Sequence, residues 1–209
     1  VERIPTTSAI VALTFDGGAS DAAVSSILAT LAAEGVRATF FVTGDFARRY
    51  PGQVAAVAAA GHRLGNHSDT HPRYPRLSDA EIAADLARAE AAIRDAAGEG
   101  AVPLFRFPYG DRTPADISAV NAAGYLPVRW TVDTLGWAGT ERGISADVVV
   151  ERVLDTLTPG QIVLMHVGAN PDDGTTFDAD ALPRVIDELR ARGYTFVTLD
   201  VLLGQGAPG

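Results

Sequence analysis

The chain has 209 residues, 47% of them hydrophobic and 21% charged, which suits one globular domain with a sizeable core and leaves no stretch polar or repetitive enough for a linker. A formal net charge of -9 excludes the basic face that nucleic acid or an anionic membrane requires. Cysteine is absent, which removes disulfides, zinc–thiolate sites and thiol catalysis together.

The chain opens on Val1 with no charged-then-apolar leader pattern and reads as a trimmed form; no apolar span is long enough to insert into a membrane. Ile10 to Phe15 is an apolar run that stops at Asp16-Gly17-Gly18, the pattern of a buried strand opening into a loop. Ser20 or Asp21 then caps a helix through Leu31 to Glu34, and Gly35 stops it. The unit repeats, with Ala38 to Val42 as strand, Phe46 to Ala60 as helix, Gly61 as stop and His62 to Asn66 as third strand. Directly after it comes His67-Ser68-Asp69-Thr70-His71, which holds two of the four histidines. Ser78-Asp79-Ala80-Glu81 has capping-box spacing and opens an Ala-rich helix to about Ala97, before Gly98. Leu104 to Phe107 is a brief fourth strand closed by Pro108-Tyr109-Gly110, and Thr113-Pro114 starts a helix that ends at Gly124. Tyr125 to Val132 makes the fifth strand, Ser145 to Leu157 a helix, Gln161 to Met165 the sixth strand, Ala179 to Arg192 a helix and Thr195 to Leu199 the last strand.

Alternation of seven such strands with helices predicts an α/β fold around a parallel sheet. A closed or nearly closed (β/α) barrel is the first expectation and a doubly wound open sheet the alternative. Both collect reactive groups at the C-terminal ends of their strands. Asp16, the His67/His71 pair, Arg106, Asp133 and His166 each fall at or just past such an end, on five different strands. Each also has an ordinary structural reading: Asp16 and Asp133 as turn formers, Arg106 as one half of a surface ion pair, His166 as a core residue, and the histidine pair as loop hydrogen-bonders. Histidines four apart reach one ion if they share a helical turn or a suitable loop, but two ligands do not complete a catalytic metal site.

Thr14-Phe15-Asp16-Gly17-Gly18, His67-Ser68-Asp69-Thr70-His71, Arg106-Phe107-Pro108-Tyr109-Gly110, Asp133-Thr134-Leu135-Gly136-Trp137 and Ile162-Val163-Leu164-Met165-His166 resemble, in order, the five motifs of the polysaccharide deacetylases, carbohydrate esterase family 4. The resemblance runs from about residue 10 to 199 and implies a single catalytic domain over residues 1–209, folded as a distorted (β/α) barrel of about seven parallel strands. It implies His67 and His71 as ligands of a divalent metal, zinc first and cobalt or nickel as alternatives, with Asp16 as general base and His166 as general acid. Arg106 would hold Asp16, and Asp133 would partner His166. Trp137 and Leu164 would shape the acetyl pocket, and the backbone N–H of Tyr109 would help bind the oxyanion. The implied partner is an acetylated glycan in the cell envelope or outside the cell, met by a monomer.

One position departs from the family pattern Thr-Phe-Asp-Asp-Gly. Its second Asp is a metal ligand, and here that position is Gly17. Asp21, Asp45 and Asp69 are the carboxylates near enough in sequence to replace it, Asp21 first, with water alone as the other solution. Two neutral imidazoles without a carboxylate leave the ionic charge uncompensated, which weakens binding and keeps the ion more Lewis-acidic. Three functions follow from these residues: a metal-dependent de-N-acetylase or O-acetyl esterase acting on a polysaccharide, a silent glycan-binding homologue that lost its metal at Gly17, and an amidohydrolase for a small amide.

Overall fold

The computed structural model describes residues 1–204; residues 205–209 of the expected domain lie outside them. One parallel sheet forms the frame. Its strands are β1 (Ile10–Gly17), β2 (Thr39–Val42), β3 (Arg63–Asn66), β4 (Leu104–Phe105), β5 (Leu126–Pro127), β6 (Val132–Asp133), β7 (Gln161–His166) and β8 (Thr195–Phe196). The order is β5-β4-β3-β2-β1-β7-β6, with β8 also on β1. Val11 is paired with Gln161 of β7 and with Phe196 of β8, whereas β1 meets β2 from Thr14 onward. Since β7 takes one edge of β1, β8 wedges beside β2 at the start of the other edge.

The fifth predicted strand, Tyr125 to Val132, is two short strands at opposite ends of this order. Val128 N–H still bonds Phe105 O in β4's direction, while Thr131 N–H already bonds Ile162 O of β7. The same stretch therefore leaves one edge of the sheet and joins the other, which is how the curl of a distorted (β/α) barrel is completed. A flat doubly wound sheet has no such stave.

The helices are α1 (Val24–Ala33), α2 (Gly44–Arg49), α3 (Pro51–Ala59), α4 (Asp79–Ala97), α5 (Pro114–Ala122), α6 (Ala146–Asp155) and α7 (Phe177–Ala191). The helix expected over Phe46 to Ala60 is broken at Tyr50, with φ -129° and ψ 53°, because the ring of Pro51 bars its predecessor from helical backbone and lacks an N–H. Neither Ser20 nor Asp21 caps α1, whose N-cap is Ala23. The expected caps at Ser78, Thr113 and Ser145 all form, the first two as capping boxes. α7 starts two residues earlier than its sequence pattern suggests, at Phe177. Apolar faces of α1, α3, α6 and α7 pack on one side of β1, β2 and β7 through Leu13, Phe15, Phe40 and Met165. Ala12, Phe41, Leu104 and Ile162 point the other way into the barrel, against Ile4, Val128 and Leu199.

Candidate active site

Strand register sets the site. Asp16 is paired with His166 on the neighbouring parallel strand, and Asp133 with Leu164 on the next. β3 delivers His67 just past Asn66, and β4 delivers Arg106, whose N–H bonds Asn66 O. The five rim positions predicted from sequence therefore converge, and with Tyr109, Trp137 and Leu164 they lie in or directly behind one groove of about 670 Å³.

Asp16 is 6% exposed, and Arg106 behind it is wholly buried. Arg106 Nη1 donates to Asp16 Oδ1 at 2.6 Å, its Nε and Nη2 donate to the carbonyls of Val128 and Arg129, and its guanidinium lies 4.1 Å from the centre of the Phe41 ring. Burial works to raise the pKa of Asp16. The charge of Arg106, followed by His67 and His166, outweighs it and holds the carboxyl below its ordinary value. Oδ2 is left facing His67 Nε2 at 3.4 Å.

The histidine pair is held by a loop, not by a helical turn. Ser68 and His71 both have positive φ, 74° and 60°, and the His71 N–H bonds Ser68 Oγ. The two rings stand edge to face with centroids 4.9 Å apart, and Tyr109 stacks its edge on His71 at 4.4 Å. His67 Nδ1 lies 2.9 Å from the carbonyl oxygen of Arg106, which only a protonated Nδ1 can satisfy, so Nε2 carries the lone pair. Burial lowers both imidazole pKa values, that of His71 to about 4 with further repulsion from His67. Two neutral imidazoles with a free lone pair fit a divalent ion of the zinc, cobalt or nickel type better than magnesium or calcium.

The third ligand is another matter. A Cβ on Gly17 would stand 3.3 Å from Val167 Cγ2, 3.3 Å from Val42 Cγ1 and 3.5 Å from Phe46, an apolar cradle. The three candidate replacements are engaged elsewhere. Asp21 accepts from Gln53, Asp45 from Arg48, and buried Asp69 from both Arg48 at 2.6 Å and Arg88 at 2.9 Å. Among the described residues no three His, Cys, Asp or Glu side chains converge as a metal site. None of the three candidates is a free carboxylate.

His166 stands at the other wall. Its backbone N–H donates to Asp178 Oδ2 at 2.8 Å, and its Nδ1 lies 3.7 Å from the same oxygen. The expected partner, Asp133, instead accepts from Leu135 N–H in the turn that follows it and forms no ion pair with the imidazole among the described residues. Burial lowers the pKa of His166, but Asp178, Asp16 and Asp133 prevail and raise it above the ordinary 6.5. Asp178 escapes sequence reasoning because it lies twelve residues after His166 in a stretch that reads as loop until Ala179. The fourth histidine, His62, is away from the groove and accepts the Ala38 N–H through Nδ1.

Trp137, 41% exposed, and Tyr109, 58% exposed, stand at the rim on the His166 and His71 sides. Leu164 is buried at the floor. A buried carboxylate, an imidazole pair and a third imidazole of raised pKa around a pocket with aromatic edges are groups suited to acid–base chemistry on a ligand with an apolar ring face.

A sequence model described as polysaccharide deacetylase matches residues 3–128. A peptidoglycan-N-acetylglucosamine deacetylase of Bacillus cereus is 33% identical over 195 residues, 93% of this chain and 68% of the relative. A chitooligosaccharide deacetylase of Sinorhizobium fredii is 34% identical over 206 residues, 95% of this chain and 94% of the relative. Among solved structures, a carbohydrate esterase family 4 pseudoenzyme from Bacillus anthracis superposes with a TM-score of 0.87 at 28% identity, over 97% of this chain and 68% of its own. With the family's motifs brought to one groove by the family's fold, and relatives matching over almost the whole length, the chain belongs to the polysaccharide deacetylase family, carbohydrate esterase family 4.

Proposed function

We propose that this protein is a metal-dependent hydrolase that removes N-acetyl groups from a cell-wall or related polysaccharide outside the cytoplasm, acting as a monomer. The observation that carries the reading is the Asp16–Arg106 pair facing His67 and His71 at one wall of the groove with His166 at the other. The two relatives above, a peptidoglycan-N-acetylglucosamine deacetylase and a chitooligosaccharide deacetylase, support the same class.

His67 and His71 would hold the ion, which when bound would supply Lewis acidity for the acetyl carbonyl and lower the pKa of the attacking water. Asp16 Oδ2 takes the water's proton while Arg106 keeps the carboxylate ionised through Oδ1. Leu164 and Trp137, which line the groove with Tyr109, enclose the acetyl methyl, and the Tyr109 N–H binds the carbonyl oxygen as it gains charge. When the C–N bond breaks, His166 gives its proton to the nitrogen. Acetate and a glucosamine unit leave. The test is acetate release from chitooligosaccharides and peptidoglycan with added zinc, cobalt or nickel. Turnover that is absent on both substrates, or that survives Asp16→Asn, refutes the reading.

A second reading rests on the apolar cradle at Gly17 and on the pseudoenzyme likeness: a glycan-binding protein without turnover. It predicts glycan binding with no zinc uptake at the histidine pair, which calorimetric titration separates from the first.

A further inference from the structure

His166 Nδ1 is shielded from solvent and has no hydrogen-bond partner. A buried orphan of that kind is destabilising unless charging the group closes a contact. The carboxylate that faces it is not one its own strand neighbours provide. Asp178 is 3% exposed in the first turn of α7, and it receives Thr134 Oγ1 at 2.6 Å and the His166 N–H at 2.8 Å, which fixes the carboxylate in place. The remaining 3.7 Å to Nδ1 is about half an ångström beyond hydrogen-bond length. Catalytic hydrogen bonds of this length commonly tighten once substrate is bound.

The space that Asp178 uses belongs to another residue. A Cβ built on Gly136 would overlap its carboxyl atoms, lying 2.7 Å from Oδ2. Gly136 does not have the positive φ that demands glycine, so the missing side chain is a matter of room alone. We propose that Asp178 is the positioning residue of the acid, its carboxylate entering from α7 through the gap left by Gly136 to orient His166 with Nε2 toward the groove. The other charged groups facing His166 are Asp16 on β1 and Asp133 on β6, with the His67 and His71 rings across the groove. Asp16 holds Arg106 through Oδ1 and faces His67 with Oδ2, Asp133 takes the Leu135 N–H of its own turn, and among the described residues the only carboxylate within 4 Å of the His166 ring nitrogens is Asp178. The role of the proton rests on the deacetylase reading. The contact itself does not.

Two variants and two readouts test it. Asp178→Asn keeps the shape and removes the charge. Gly136→Asp combined with Asp178→Ala returns a carboxylate to the same space from the loop after β6. His166 is followed by NMR titration of the four imidazoles, assigned with His166→Gln, and kcat and KM are measured against pH on a chitooligosaccharide. We expect Asp178→Asn to move the His166 titration and the alkaline limb of kcat to lower pH, and to lower kcat about 10- to 100-fold with little change in KM. The relocated carboxylate should restore both. An Asp178→Asn protein whose His166 titrates as in the wild type overturns the proposal. If that variant does not fold, a wild-type His166 that titrates at or below the free imidazole value overturns it equally. A displaced titration in a protein that releases no acetate upholds the positioning contact and refutes the deacetylase reading.

Discussion

At the scale of single residues, the groove divides its ionisable groups by environment. Asp16 and Arg106 form a pair removed from water, and Arg106 has no exposed atom at all. Taking away one member leaves the other charge buried and alone, so Arg106→Met should lower stability by about 3–5 kcal/mol, read from the denaturant midpoint. Asp16→Asn keeps an acceptor for Arg106 but not its counter-charge, and should lower stability less than Arg106→Met while kcat falls about 10²- to 10⁴-fold. His166 has the opposite sense. Its folded pKa stands above 6.5, so the charged form stabilises the protein below that value and the contribution is lost as pH rises through the higher folded value. The alkaline limb of activity should accordingly fall above pH 6.5, where a pH–rate profile will find it. The motif residues were legible one by one from their identities. Asp178 was not, because the contact that gives it meaning crosses from α7 to β7 and leaves no local pattern.

At the scale of elements, the loop between β3 and α4 owes its shape to the helix it leads into. Asp85 of α4 accepts both the Asp69 N–H at 3.0 Å and Tyr74 Oη at 2.8 Å, while Asp69 is gripped by Arg48 and Arg88. That network tethers the segment between the two histidines. Asp85→Ala would strand two buried donors, which should cost about 2–5 kcal/mol in thermal unfolding and weaken zinc binding although no ligand is changed. Calorimetry on the variant checks the second part. The same network explains why Asp69 is no metal ligand. From sequence it sits between His67 and His71, but alternating backbone turns direct it away into two arginines. Helix ends marked by Ser78, Thr113 and Ser145 were readable because a cap is a short-range bond. The break at Tyr50 was readable in principle from Pro51, and the Ala-rich run that follows it masks the signal.

At the scale of the whole molecule, the core and the histidine pair are separable. Aliphatic and aromatic side chains on both faces of the sheet fill the space between its layers, and neither His67 nor His71 belongs to these clusters. Chelation should therefore abolish turnover and leave a folded protein. Zinc added at a hundred times its dissociation constant should stabilise by about 2.7 kcal/mol, a rise in the thermal midpoint that His67→Gln removes. No helix among the described residues is long and apolar enough to cross a membrane.

The amino-acid sequence by itself determined the alternation of strands and helices, the rim on which Asp16, His67, His71, Arg106, Asp133 and His166 stand, and the family. Each of these follows from periodicity or from residue type at short spacing. Only the tertiary structure decided which carboxylate stands beside His166 Nδ1, that Asp21, Asp45 and Asp69 are engaged elsewhere, that Gly17 is walled by valines and a phenylalanine, and that one predicted strand is shared between two edges of the sheet. These depend on which distant segments come into van der Waals contact, and a pattern of period two or 3.6 carries no record of that. Gly136 joins the two levels: in the sequence it is one more loop glycine, and in the fold it is the room that Asp178 occupies.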